Sequence, residues 1–297
     1  MRQLIAEGEF DVHVLDNLAS GRHRLEAMDR GRFALHEADI RDDKAVADVM
    51  RRVEPTVIFH LAALHYIPAC EAAPGIAASV NVAGTINILS KAPAKSRFIF
   101  ASTAAVYSPS AEAHREDDIG SGPVDIYGLT KLHGEHFVRY YHQSGAIRGT
   151  IVRLFNVVGS GETNPHLAPA IIEQLASGDT QLRLGNLFPR RDYIDVEDAA
   201  KGFRLIANSS PHDGSLNICN LGTGRDHEVG DVVQLIADAS GLGVSISQDP
   251  GRVRAADRPV LRASVDRLRR LTGWSPQIDL KTSMRNAWAT RAEDKLR

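Results

Sequence analysis

The sequence predicts an α/β fold, a doubly wound parallel sheet followed by a smaller C-terminal lobe. Three observations lead there. Strand-like runs in the first half are apolar almost throughout, the pattern of strands covered on both faces. Stretches with helical spacing separate them, as crossovers between parallel strands require. After about residue 157 the texture changes to shorter elements, with Gly, Pro and Asn clustered at 159–165 and 185–189, which suits a second lobe built from late segments.

In order, DVHVLD at 11–16 and RFALHEAD at 32–39 read as strands, and a helix follows over 43–52. TVIFHLAA at 56–63 is a third strand, followed by helical spacing over 77–91. RFIFAS at 97–102 is a fourth, then a helix over 130–143 and a fifth strand, GTIVRLFN, at 149–156. Later elements are a helix around 168–177, a strand near 216–220 and a helix over 229–240. The expected division gives residues 1–156 and 193–221 to the first domain, and 157–192 and 222–297 to the lobe. No internal repeat or low-complexity tract interrupts this plan.

The 297 residues, 43% of them hydrophobic, suffice for one large α/β domain or a domain plus a lobe. Lys and Arg number 35 against 37 Asp and Glu, so composition points to no nucleic-acid partner. The basic cluster from Arg267 to Arg270 reads as a solvated helix face. Cys70 and Cys219 are far apart and form no CxxC or Cys/His pair at metal spacing. This favours a reducing, cytoplasmic setting over a disulfide framework. No apolar run reaches the length of a membrane span, and MRQLIAEGEF has no signal-peptide core.

The strongest local signal is YGLTK at 127–131, opening a helix. Spacing of four puts Tyr127 and Lys131 on one helical face. A free tyrosine has a pKa of about 10, too high for a base at neutral pH. A nearby ammonium stabilises the phenolate, and the pair can then take a proton from a sugar hydroxyl. Taken alone, Y-x-x-x-K is a weak signal that occurs often by chance, and a surface pair is the better explanation until context is added. Upstream, FIFASTAAVY places Ser102 and Thr103 just past a strand, where open parallel sheets bind ligands. A hydroxyl there either holds the substrate oxygen or makes an ordinary Ser/Thr turn.

The ordered set LDNLASG, ADIRD, FHLAA, NVAGT, ASTAAVY, YGLTK, RLFNVVG, RRDYIDVEDAA, NLGTG and GWSP resembles the NAD-dependent epimerase/dehydratase family, the extended short-chain dehydrogenases, from about residue 1 to 280. The resemblance implies a Rossmann-like sheet, NAD as cofactor and a nucleoside-diphosphate sugar as substrate. It assigns catalysis to Thr103, Tyr127 and Lys131. Asp16, at the end of its strand, would bond the adenosine ribose and repel a 2′-phosphate. Asn17, Ser20 and Gly21 continue that loop, and Asp39 and Ile40 would flank adenine. Leu61, Ala62 and Ala63 would line the pyrophosphate and ribose, with Asn81 in the helix supporting that wall. Ala101, Tyr127, Lys131 and Phe155 complete the cofactor set. Thr103, Asn156, Arg191, Arg254 and Asp257 would contact substrate; an arginine fork suits a diphosphate because it donates to two oxygens at once. His166 stands where the family more usually has asparagine. A homodimer through helices near Asn81 and Tyr127 is a further implication.

The family pattern opens with a strand and G-x-x-G-x-x-G, and MRQLIAEGEF reads as the end of the helix that follows. The first strand and the phosphate-cradling loop are therefore expected to be absent, which weakens folding and NAD binding. A start site placed too late in the reading frame is the simplest explanation. GTG at 222–224 reads as a late turn, not a replacement loop. His133 and His136 lack a third ligand at any metal spacing, so no metal is expected. The reaction implied is epimerisation at C4 through a 4-keto intermediate. Dehydratase members carry an Asp-Glu pair after the catalytic Thr; Ala104 and Ala105 stand there, which disfavours dehydration. A 4-keto-sugar reductase, towards which GNLFPRRDY at 185–193 leans, and a non-catalytic sugar-nucleotide binder are the alternatives.

Overall fold

The computed structural model describes residues 1–19, 30–162, 164–209, 214–253 and 257–295. Its first elements are α1 (Arg2–Glu7), β1 (His13–Asp16), β2 (Ala34–Glu37), α2 (Asp43–Val53), β3 (Val57–His60), α3 (Ile67–Ala72), α4 (Pro74–Ala78), α5 (Thr85–Lys91), β4 (Arg97–Thr103), α6 (Ile126–Gln143) and β5 (Arg148–Leu154). Next come β6 (Asn156–Val158), α7 (Leu167–Ala176), β7 (Gln181–Leu184), β8 (Arg190–Asp195), α8 (Val196–Asn208) and β9 (Asn217–Leu221). The last are β10 (Asp226–Glu228), α9 (Val229–Ser240), β11 (Ser245–Gln248), β12 (Val260–Leu261), α10 (Asp266–Thr272) and α11 (Leu280–Lys295).

The chain forms two compact units. One comprises Met1–Val106, Pro123–Val152 and Ala207–Ile218; the other Tyr107–Gly122, Arg153–Ile206 and Cys219–Arg297. The segment after β4, together with β8 and most of α8, thus groups with the second unit, whereas the sequence division gave 193–221 to the first.

In the first unit, β3, β4 and β5 are neighbours in that order in one sheet, with β3 parallel to β4. Parallel β1 and β2 make a separate two-stranded sheet. No pairing joins β1 to β3 among the described residues. The apolar run VIFH reads as a strand covered on both faces. As the end strand of its sheet, β3 is only half-buried at Val57, Ile58 and Phe59, whereas β4 beside it is buried from Phe98 to Thr103. The core packs Phe98, Phe100 and Ile151 against Val138 of α6, Ile88 and Leu89 of α5, and Val46 and Met50 of α2.

Local chemistry sets the helix limits. Asp42 caps α2 by accepting from the Ala45 amide at 3.0 Å. Asp125 caps α6 through the Gly128 amide at 2.7 Å, and Glu71 accepts the Ile126 amide at 2.8 Å. These two acceptors start α6 at Ile126, one residue before the YGLTK expected to open a helix and four before the stretch with clear helical spacing, and place Tyr127 in its first turn. Between α4 and α5 the helix widens into a π turn, Ser79–Gly84, a departure that recurs at functional sites. Gly84 permits it to sit against Ile40: a Cβ there would lie 2.5 Å from the Ile40 side chain.

In the second unit β8 is flanked by antiparallel β10 and parallel β12, β6 also pairs with β8, and β7 pairs with β11. Helices α7, α9 and α11 cover a core that includes Ile171, Leu175, Leu182, Val232, Ile236 and Met284. The carboxylate of fully buried Asp192 accepts from the amides of Thr223, Gly224 and Ala263 and from the Thr223 hydroxyl. This holds the GTG segment as a turn. Arg153, fully buried, donates to the Tyr107 hydroxyl at 3.1 Å and the Glu116 carbonyl at 2.7 Å, with its guanidinium 5.0 Å from the Tyr107 ring.

Candidate active site

The carboxyl end of β4 and the first turns of α6 bring three side chains of the first unit together. Thr103 ends β4, and its hydroxyl also accepts the Ala105 amide at 3.1 Å. The chain then turns through Ala104–Val106, all buried small or apolar residues. The Tyr127 phenol is near enough to the Thr103 hydroxyl for that hydroxyl to lower its pKa against the effect of burial. Lys131, one turn on along α6, is only 2% exposed, and its ammonium lies 4.6 Å from the centre of the Phe100 ring.

Gly128 allows this seating. A Cβ there would meet the Ala105 carbonyl oxygen at 2.3 Å and Pro123 Cβ at 2.8 Å. Only glycine lets the first turn of α6 approach the strand end so closely.

Burial governs the electrostatics. It pushes the Tyr127 phenol above its ordinary range; the Thr103 hydroxyl works the other way, and the charges of Cys70 and Asp125 add to the rise. The same burial pulls Lys131 down to about 7, opposed by the carboxylate of Glu135. Spacing alone suggests a phenol made acidic by its lysine. The structure has instead a phenol and, one turn on, a lysine, both of which burial shifts toward their neutral forms, with Glu135 opposing the shift of the lysine.

Behind this face lies a buried polar network. Ser102 donates to Glu135 Oε1 at 2.5 Å. His60 and Thr85 bond at 2.9 Å, and burial drives the imidazole down to about 3, with Lys131 adding to the fall. Asn81, fully buried, donates to the Leu64 carbonyl and to Thr130 and accepts the Leu64 amide. It ties the loop after β3 to the catalytic helix. Glu135, Gly128 and Glu71 escaped the sequence reading. A carboxylate four residues beyond Lys131 was the available signal for the first; the other two depend on tertiary approach.

The remaining cofactor candidates of this unit lie at strand ends. Asp16 ends β1 and accepts the Leu18 amide at 2.7 Å, holding Leu18 at φ 56°. Asn17 donates to Asp39 at 3.2 Å, and Arg41 grips Asp39 through two guanidinium nitrogens and its amide. Those bonds hold the Asp39 carboxyl well below the usual carboxylate range. Ile40 turns its side chain into the core. Leu61 is 59% exposed, with Ala62 and Ala63 half-buried beside it. An apolar shelf in the open at the end of a parallel strand fits a dinucleotide wall, and a strand-end carboxylate fits a ribose diol. Ala101 is buried within β4. Ser20 and Gly21 lie outside the described residues.

Phe155, Asn156, Arg191 and Asp257 belong to the second unit. Phe155 is buried with its ring 6.5 Å from that of Tyr107, and Asn156 is exposed. Arg191 pairs with Asp257 and donates to the carbonyls of Arg190 and Arg258. Asp257 also accepts from Asn186 at 3.0 Å. Arg254 lies outside the described residues. His166 contacts Glu162 at the start of α7. Among the described residues no cluster of His, Cys, Asp and Glu is arranged to hold a metal ion, and no helix is long and apolar enough to cross a membrane.

A parallel α/β sheet with Thr, Tyr and Lys at its carboxyl rim defines a class, the short-chain dehydrogenase type. The model of the NAD dependent epimerase/dehydratase family matches residues 1–221, and the chain belongs to that family. The family is enzymatic and NAD-dependent. A UDP-glucose 4-epimerase of Rhizobium leguminosarum bv. trifolii is 30% identical over 305 residues, spanning 94% of this chain and 89% of that protein. A GDP-6-deoxy-D-mannose reductase of Pseudomonas aeruginosa is 26% identical over 272 residues, spanning 87% and 88%. The structure of the Thermus thermophilus UDP-glucose 4-epimerase in complex with NAD superposes with a TM-score of 0.86 at 27% identity, covering 97% of this chain and 93% of that one.

Proposed function

We propose that the protein catalyses NAD-dependent epimerisation at C4 of a nucleoside-diphosphate sugar through a 4-keto intermediate. The observation that carries the reading is the approach of the Tyr127 phenol to Thr103 at the end of β4, with Lys131 one helical turn away. Likeness to UDP-glucose 4-epimerases over most of the chain supports it. In this reading Tyr127 removes the proton from the sugar 4-OH and Thr103 hydrogen-bonds the same oxygen. Lys131 holds the nicotinamide ribose and keeps positive charge beside the phenol. Asp16 receives the adenosine ribose, and Leu61, Ala62 and Ala63 form the wall along the dinucleotide. NAD held by these residues would supply the chemistry of accepting a hydride and giving it back. Asn156, Arg191 and Asp257, with Arg254, are assigned to the nucleotide diphosphate. A homodimer is part of the reading, supported by exposed Ile76 of α4 and Leu129 and Tyr140 of α6.

The test is turnover of UDP- and GDP-sugars with NAD. An epimerase interconverts the 4-epimers with no net consumption of NADH or NADPH. Tyr127→Phe should lower the rate by about 10²–10⁴. A second reading, reduction of a 4-keto sugar nucleotide, is favoured by the match to GDP-6-deoxy-D-mannose reductase. It predicts one equivalent of reduced cofactor consumed per product. No turnover on any of these substrates, with Tyr127→Phe indistinguishable from wild type, would sink both readings.

A further inference from the structure

Lys131 is a buried amine for which charge is unfavourable, and its surroundings show what opposes the loss of that charge. The ammonium lies within the helix–sheet interior, over the Phe100 ring and 2% exposed. Cation–π contact alone offsets little of such a desolvation cost. Among the described residues, three titratable groups stand nearest Lys131 on its own helix and on β3. On β3 stands His60, which burial keeps neutral and so supplies no counter-charge. On its own helix stand Tyr127, one turn back, and Glu135, one turn on. Glu135 is itself 2% exposed and is held by the Ser102 hydroxyl at 2.5 Å. Ser102 immediately precedes Thr103 on β4, so one carboxylate is linked both to the catalytic helix and to the strand that ends in the catalytic threonine.

We propose that Glu135 is a positioning residue for Lys131: its carboxylate, anchored by Ser102, is the buried counter-charge that favours the ammonium form of Lys131, one helical turn on from Tyr127. The carboxylate accepts from the Ser102 hydroxyl through Oε1, and Glu135 follows Lys131 by four residues on α6, the spacing that puts two side chains on one helical face. Loss of that charge leaves burial unopposed, and the lysine then becomes neutral at lower pH. At an effective dielectric near 20, a unit charge roughly 6 Å away moves a titration by about 1–2 pH units. Where Lys131 works as a cation, as the proposed function requires, the alkaline limb of the pH–rate profile moves with it. The role in catalysis therefore rests on that reading; the electrostatic claim does not.

The experiment is titration of Lys131 by NMR in the full chain labelled at lysine, which has only seven such residues. The resonance is assigned with Lys131→Met. In the wild type it should titrate at about 7. Glu135→Gln keeps an oxygen to accept from Ser102 and removes the charge; it should lower the midpoint by about 1–2 pH units. Glu135→Asp, which retains the charge, should restore part of that shift. If Glu135→Gln fails to fold, Ser102→Ala, which frees the carboxylate without removing it, should still lower the midpoint by a smaller amount. In the enzyme loaded with NAD, Glu135→Gln should move the alkaline limb downward while the plateau rate stays within a few-fold. A Lys131 midpoint unchanged in both Glu135→Gln and Ser102→Ala overturns the proposal. An inert wild type would overturn the proposed function while leaving the titration result standing.

Discussion

Alanine at position 128 tests whether the close seating of α6 sets the catalytic geometry. The added methyl would lie 2.3 Å from the Ala105 carbonyl oxygen, where an ordinary carbon–oxygen contact needs about 3.3 Å. The obstacle is backbone, braced by buried Ala104 and Val106, so it cannot swing aside as a long side chain would. The first turn of the helix must withdraw by about 1 Å, carrying Tyr127 away from Thr103. A displacement of that size costs about 10²-fold in rate. Stability should respond far less: overpacking costs about 1–3 kcal/mol, and replacing glycine inside a helix returns about 1 kcal/mol. The assay pairs kcat/KM on a sugar nucleotide that the wild type converts with urea unfolding of the same preparations. The expected result is a loss of about 100-fold in turnover with at most about 2 kcal/mol lost in stability. Undiminished turnover in Gly128→Ala would refute the claim that this contact positions the phenol.

Three further outcomes are expected. Lys131 titrates at about 7 in the fold against 10.5 as its ordinary value. Between those pH values the unfolded chain holds a proton the folded chain lacks, so stability rises with pH there, by at most about 1.4 kcal/mol per pH unit. Lys131→Met should flatten that part of the stability–pH curve, which chemical denaturation at pH 7, 8.5 and 10 measures. Asp16→Ala should weaken NAD binding and narrow the preference for NAD over NADP, because the carboxylate that would repel a 2′-phosphate is gone; fluorescence titration with both dinucleotides checks this. Asp192→Ala should cost about 2–4 kcal/mol in urea unfolding, since three amides and a hydroxyl lose their acceptor, and Asp192→Asn should cost less.

Much of the first unit could be read from the sequence because its signals are local. The apolar runs at 97–102 and 149–156 and the helical stretches near 43–52 and 130–143 lie close to β4, β5, α2 and α6. The Tyr127–Lys131 spacing and the hydroxyl after β4 were equally visible. Less visible was whatever depends on approach between distant segments. The start of α6 is set partly by Glu71, 55 residues before Ile126. The Ser102–Glu135 bond spans 33 residues. The direction in which Tyr127 shifts is decided by burial, which spacing does not report. The short strands β7, β8, β10, β11 and β12 carry two to six residues each, too few for a period to emerge. The GTG turn was legible, but its acceptor, Asp192, comes from another strand.

The end strand β3 carries a practical consequence for anyone handling this protein. Among the described residues, VIFH presents half-covered apolar side chains along a sheet margin, and HVLD of β1 is only half-covered too. Such margins are sticky toward other extended peptide. Concentrated stocks should therefore scatter light increasingly with time and warmth, and a brief exposure to mild denaturant should hasten the clouding. Dilute storage is the sensible default for the bench.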